Sequence, residues 1–141
     1  MRKAKKNMTF KTAEEIVVSV AEAIRPAERL SVVEAGEKYV KLSNPGAYRG
    51  PFKIETVPYL REPMEMLQSE DHRGVVFVGP SQCAKSTLGE IWLAYTAKCD
   101  PADMMGVYMT MIEARDFKKR RIDKLFRESP EIAMTRNPGR N

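Results

Sequence analysis

The chain has 141 residues, of which 43% are hydrophobic and 30% charged, a balance that suits one modest globular domain and excludes a low-complexity chain. No apolar run approaches the roughly 18 residues of a membrane span, and the basic start "MRKAKKNMTFK" has no apolar region behind it, so a cytosolic protein without a membrane partner is expected. Two cysteines, Cys83 and Cys99, and the single histidine His72 exclude a disulfide framework and a four-ligand zinc site, and both thiols read as reduced. The net charge of +5 favours polyanionic partners, with clusters at Arg2, Lys3, Lys5, Lys6 and Lys11 and again between Arg115 and Arg127.

In chain order, Thr12 and Glu15 form a capping box before Ile16, Val17, Val20 and Ile24 at helical spacing, and Pro26 stops that helix. Ser31 and Glu34 repeat the cap signature for a short helix ending near Tyr39 and Val40. Glycines 46 and 50 and prolines 45, 51 and 58 predict a long loop from Lys41 to Pro58, followed by a short helix from Tyr59 to Leu67. The run "GVVFV", Gly74 to Val78, predicts a strand buried on both faces. Leu88, Ile91, Trp92 and Tyr95 form one apolar helix stripe, and "MMGVYM", Met104 to Met109, predicts a second strand. Thr110 and Glu113 cap a helix expected to run to about Arg127, where Ser129 and Pro130 break it. Strand, loop, helix, strand, helix is the opening of a parallel α/β sheet with right-handed crossovers.

The loop between the first strand and its helix carries the chemistry. Phosphate needs several donors and positive charge in a small space, and a tight turn before a helix N-terminus supplies backbone N–H groups for it. In the pattern G-x-x-x-x-G-K-[ST] the small residues let the backbone curl round a phosphate, the lysine reaches the β and γ oxygens, and the hydroxyl holds magnesium. Gly79, Lys85 and Ser86 match, whereas Ala84 stands where the second glycine belongs. If that position requires positive φ, alanine costs on the order of 1 kcal/mol. The alternative is a plain connection with a solvated lysine, but the positive end of a helix is a poor place for a cation unless an anion is expected. Cys83 reads as a small filler in the loop rather than a reactive thiol.

The segments "LSVVEAGEKYVKLSNPGAYRGPFKIETVPYLREPMEML", "VVFVGPSQCAKST" and "GVYMTMIEARDFKKRRIDKLFRESPEI" together resemble the large subunit of phage terminase, of the lambda-like type, from about Leu30 onward. That family is an ATP-driven motor that packages and cuts viral DNA. The resemblance implies an α/β P-loop NTPase domain, here incomplete, over residues 30–141, preceded by a basic N-terminal segment with one helix over residues 1–29. It also implies ATP and Mg2+ as cofactors, with the nucleotide-phosphate loop formed by Gly79, Pro80, Ser81, Gln82, Cys83, Ala84, Lys85, Ser86 and Thr87. Lys85 would be its catalytic lysine and Ser86 its magnesium ligand. Tyr59 and Arg61 correspond to the family's adenine-recognition segment, in which Leu60 takes the place of the usual glutamine, while Ala35 replaces an N-terminal tryptophan. Tyr59 also reads as an aromatic covering the core. Implied partners are double-stranded DNA, the terminase small subunit and the portal, in the cytoplasm of an infected bacterium.

Nucleotide hydrolysis requires a carboxylate at a later strand end and a residue that orients water, and the sequence after Met109 offers neither, so the chain reads as the front part of such a domain. On the expected helix from Ile112 to Arg127, Phe117, Ile122, Leu125 and Phe126 can face inward, leaving Lys118, Lys119, Arg120, Arg121 and Lys124 on the remaining surface. Asp116 with Arg120 and Asp123 with Arg127 are i, i+4 pairs typical of a solvated face, and Lys118, Lys119 and Arg121 are the candidate DNA contacts. The rival functional readings are a nucleic-acid-binding fragment with a vestigial loop and the front part of a helicase-like ATPase.

Overall fold

The computed structural model describes residues 12–24, 26–43 and 48–133. The basic cluster from Arg2 to Lys11, the loop residues Pro45 and Gly46, and the tail from residue 134 lie outside them. Helix α1, Ala13–Ala23, opens on the expected capping box. The Thr12 N–H donates to Glu15 Oε2 at 2.8 Å, and the Glu15 N–H donates to Thr12 Oγ1 at 3.3 Å. Its apolar residues Ile16, Val17 and Val20, and Ile24 just past its end, are all exposed. Helix α2, Val32–Tyr39, has the second full capping box, with the Ser31 N–H on Glu34 Oε2 at 2.7 Å and the Glu34 N–H on Ser31 Oγ at 3.2 Å. Those hydrogen bonds hold the Glu34 carboxyl below its ordinary range.

The segment expected to be one loop contains regular structure. Strands β1, Lys41–Ser43, and β2, Arg49–Pro51, pair antiparallel with Leu42 opposite Gly50. Single turns of 3-10 helix come next at Ile54–Thr56 and Pro58–Leu60, and these lead into α3, Arg61–Gln68. The phosphate-loop candidate then enters α4, Lys85–Lys98. The final helical region comprises α5, Met111–Phe117, a π-helical turn at Lys118–Ile122, α6, Asp123–Glu128, and the short α7, Pro130–Ala133. Thr110 caps α5 as expected, its Oγ1 accepting from the Glu113 N–H at 3.2 Å. The single straight helix expected here is interrupted, because the Asp123 N–H reaches back five residues to the Lys118 carbonyl.

The core is mainly helix on helix. Val32, Val33, Ala35 and Tyr39 of α2 pack with Leu88, Ile91, Ala94 and Tyr95 of α4, and Leu60, Met64, Phe52 and Ile54 close the sides. The stripe anticipated on α4 is therefore present with one correction: Trp92 is exposed. At the closest approach of the two helices a side chain on Gly36 would place Cβ 2.8 Å from Ile91 Cγ2 and 3.2 Å from Phe52 Cδ1. Alanine gains about 1 kcal/mol of helix propensity but forces overpacking worth about 1–3 kcal/mol. Gly36→Ala should therefore lower stability by about 1 kcal/mol, read as a lower urea midpoint with unchanged slope.

The expected parallel sheet is not formed among the described residues. Among them the sheet is the two-stranded antiparallel pair alone, and residues 74–78 and 104–109 lie in no helix and have no ladder partner. Val76 is 91% exposed and Met105 86%, whereas Phe77 packs partly on the core. A β-branched apolar run records suitability for a sheet, but a strand exists only through hydrogen bonds to a neighbouring strand.

Candidate functional site

Backbone outside any helix or strand delivers Gly79 and Pro80 to a tight turn, and the turn delivers Lys85 as the first residue of α4. Two residues make the curl: Gln82 at φ 62° and Ala84 at φ 58°, both left-handed. The condition attached to Ala84 is met, since the position where the phosphate pattern has glycine does require positive φ. Gly79 meets a different and softer constraint: a Cβ there would stand 2.7 Å from Cys83 Sγ where the loop folds back, so the thiol would have to turn aside. Ala84 is also the N-cap of α4 and supplies no side-chain acceptor to the helix start. The first N–H groups of a helix have no intrahelical acceptor, so this uncapped start is an electropositive end suited to an anion. Ala84→Gly should relieve the left-handed strain and raise stability by up to about 1 kcal/mol, measurable by urea unfolding.

The Lys85 ammonium lies back over its own loop. It donates to the Gly79 carbonyl at 2.8 Å, to the Pro80 carbonyl and to Cys83 Sγ at 3.3 Å. The cation is thus held at the mouth of the curl by weak neutral acceptors, with no carboxylate among these partners. Ser86 is exposed and Thr87 half-buried on the first turn.

These residues form one wall of a cleft of about 480 Å3, lined by Ser81, Gln82, Cys83, Ala84, Lys85, Ser86 and Thr87. That volume is in the range of small-molecule sites, roughly 300–1,000 Å3. The opposite wall comes from the hairpin and the turn after it: Leu42, Tyr48, Phe52, Lys53, Thr56 and Val57. Arg121 completes it from the π-helical turn. The Tyr48 hydroxyl donates to the Pro51 carbonyl at 3.0 Å, which fixes the ring beside the cleft. Sequence reasoning missed this wall. Its signal was an aromatic within a glycine- and proline-rich loop, where binding residues concentrate.

The nine loop residues singled out by sequence come together, with Ser81 to Thr87 in the cleft wall and Gly79 and Pro80 behind it as acceptors for Lys85. Tyr59 and Arg61 are exposed, on the 3-10 turn and at the start of α3, and are not among the cleft-lining residues. Lys118, Lys119 and Arg121 share the π turn but not one face. Lys118 and Lys119 are exposed, and Lys118 pairs with Asp123 at 3.2 Å. Arg121 turns toward α4 and donates to Glu90 Oε1 at 3.2 Å.

Glu90 is buried on α4, and desolvation pushes its carboxyl above the ordinary value of 4.5, opposed by the Arg121 charge. A raised native value means that the folded state binds the proton more tightly than the unfolded chain. The stability this proton contributes is complete below about pH 4.5 and is lost as pH rises through the native value. The stability of Glu90→Gln relative to the parent chain should therefore increase from pH 4.5 toward neutrality, and urea midpoints at a series of pH values will show it.

The family model for the phage terminase large subunit gpA, ATPase domain, matches residues 46–141, which include both walls of the cleft except Leu42. The chain belongs to this family. No curated protein and no solved structure gives a significant match. No helix among the described residues is long and apolar enough to cross a membrane.

Proposed function

We propose that the chain binds a nucleoside triphosphate through the 79–87 loop, as part of the ATP-driven, DNA-packaging large subunit of a phage terminase. The observation that carries this reading is the left-handed curl at Gln82 and Ala84, which presents an uncapped helix start and the Lys85 ammonium to one cleft. The phosphate chain lies against the N–H groups of the first turn of α4, with Lys85 moving from the loop carbonyls to phosphate oxygen. Tyr48 and the hydrophobic residues of the facing wall receive the base, with the exposed Tyr59 and Arg61 as the alternative base contacts implied by family resemblance. Magnesium fits the donor set: it binds few protein ligands and keeps water and phosphate oxygens, so the Ser86 hydroxyl can serve as its protein ligand. It would neutralise charge on the phosphates when bound.

In this reading the segments at 74–78 and 104–109 belong to the parallel sheet of a P-loop fold, which accounts for their exposed apolar side chains. Double-stranded DNA, the small subunit and the portal are the partners consistent with the family, and Lys118 and Lys119 are the exposed cations offered to a DNA backbone.

Calorimetric titration of the chain with MgATP and MgADP tests the nucleotide reading. Saturable binding is expected, together with stabilisation of about 2.7 kcal/mol at ligand concentrations 100 times Kd. Absence of heat and of any shift in unfolding with both nucleotides would overturn it.

A further inference from the structure

Arg121 is the cleft residue contributed by the final helical region, and no phosphate-loop pattern anticipates it. It arrives from a region 36 positions beyond Lys85 in sequence, on a π-helical turn whose register differs from that of the helices on either side. One inserted residue rotates the remainder of the helix by roughly 100°, its share of a 3.6-residue turn, and such insertions within α-helices occur frequently at functional sites. The Arg121 side chain is 38% exposed and its Nη1 is on Glu90 Oε1 at 3.2 Å, while the Glu90 side chain is 9% exposed. A guanidinium has five donors in a planar fork. One carboxylate oxygen therefore anchors it and leaves donors for the cleft. Glu90 lies on α4, the helix that begins at Lys85, so the anchor and the phosphate loop are parts of one rigid element.

Resting on the nucleotide reading above, we propose that Arg121, positioned by Glu90, is a second cationic contact for the phosphate chain. The phosphates are the anionic part of a nucleotide and the natural target of a guanidinium in the same cleft as Lys85. Contact there ties the π turn and α6 to an occupied loop. Arg121 is thus a binding residue, and Glu90 is a positioning residue that acts through it.

The test compares MgATP and magnesium tripolyphosphate, a probe without base or ribose, on the parent chain and on Glu90→Gln/Arg121→Gln. The double change replaces the ion pair by two amides that can still hydrogen-bond, so neither a buried charge nor a void is left. Its unfolding midpoint should remain near that of the parent, and affinity for both probes should fall about tenfold, the scale of one charge-assisted hydrogen bond. Arg121→Lys, which retains charge without the fork, should fall between the two. Arg120→Gln, on the same turn but exposed and paired with Asp116 at 3.4 Å, should bind as the parent does. If the double variant binds both probes with parental affinity while Lys85→Ala loses them, the role of Arg121 is refuted and the nucleotide reading stands. If the parent chain binds neither, both fall together.

Discussion

Lys85→Ala should reduce MgATP binding by at least about a hundredfold, to below detection by calorimetry, with little change in unfolding midpoint. The ammonium donates to the Gly79 and Pro80 carbonyls and to Cys83 Sγ, neutral acceptors at an exposed loop, so its loss leaves no buried charge and no cavity. What disappears is the cation aimed at the phosphates. Charge-assisted hydrogen bonds in such a cleft are worth about 1.5–3 kcal/mol each, and lysine can offer more than one to adjoining phosphate oxygens. Lys85→Arg is the informative companion. It keeps the charge but needs more room, and the loop folds tightly enough to bring Cys83 Sγ against Gly79. Binding that survives alanine at position 85 would remove the basis for the phosphate assignment.

Ile91→Ala should be the most destabilising single truncation in the helical core, at about 3–4 kcal/mol. Ile91 is fully buried at the crossing of α2 and α4, where its Cγ2 lies against the face of Gly36 and next to Phe52. The backbones are held apart by this side chain on one side and brought together by the absence of one on the other, so the helices cannot close over the void. A domain with a typical stability of about 5–15 kcal/mol keeps only part of it after such a loss. The measurement is chemical unfolding of parent and variant. A change under about 1 kcal/mol would show that the crossing collapses around the gap. Because α4 carries the proposed phosphate loop at its start, nucleotide affinity should fall only in proportion to the unfolded fraction.

Where sequence and structure agree, the information was local. The capping signatures at Thr12, Ser31 and Thr110 each need only residues three positions apart; the first two form complete capping boxes, and at Thr110 the hydroxyl caps the helix without the return bond from Glu113 among those seen. The curl at Ala84 was legible for the same reason, since glycine in the pattern encodes a backbone angle and the structure has that angle with alanine. Failures came where the outcome depended on distant partners. The Gly74–Val78 run has strand composition but no neighbour among the described residues, and the stripe on α1 has helical spacing but is exposed. Trp92 lies one step from Ile91 on the wheel, and only the packing of α2 on α4 decides which of them is covered. The π turn was invisible because Lys118 to Ile122 has the charge spacing of an ordinary solvated helix; the wide turn is evident only from the Asp123 hydrogen bond. The second wall of the cleft was missed because its residues belong to a segment whose glycines and prolines suggested irregularity, not a hairpin.

The hairpin that forms this wall is fastened at its far side by the last helices. Ser43 Oγ donates to Glu128 Oε1 at 2.7 Å across 85 positions, the Lys124 ammonium donates to the Ser43 carbonyl, and the Lys41 N–H reaches Ser129 Oγ at 3.4 Å. Closing so long a loop carries an entropic cost that local helix formation does not. During synthesis, therefore, the curl and its lysine can take shape as soon as α4 emerges from the ribosome, whereas the hairpin's fastening must wait for α6 and the residues after it. A nascent chain halted just after α4 would carry the half of the cleft proposed to bind phosphate with its opposite half still unmoored. Competence to grip a ligand would arrive late and in one step, when the last of these helices docks.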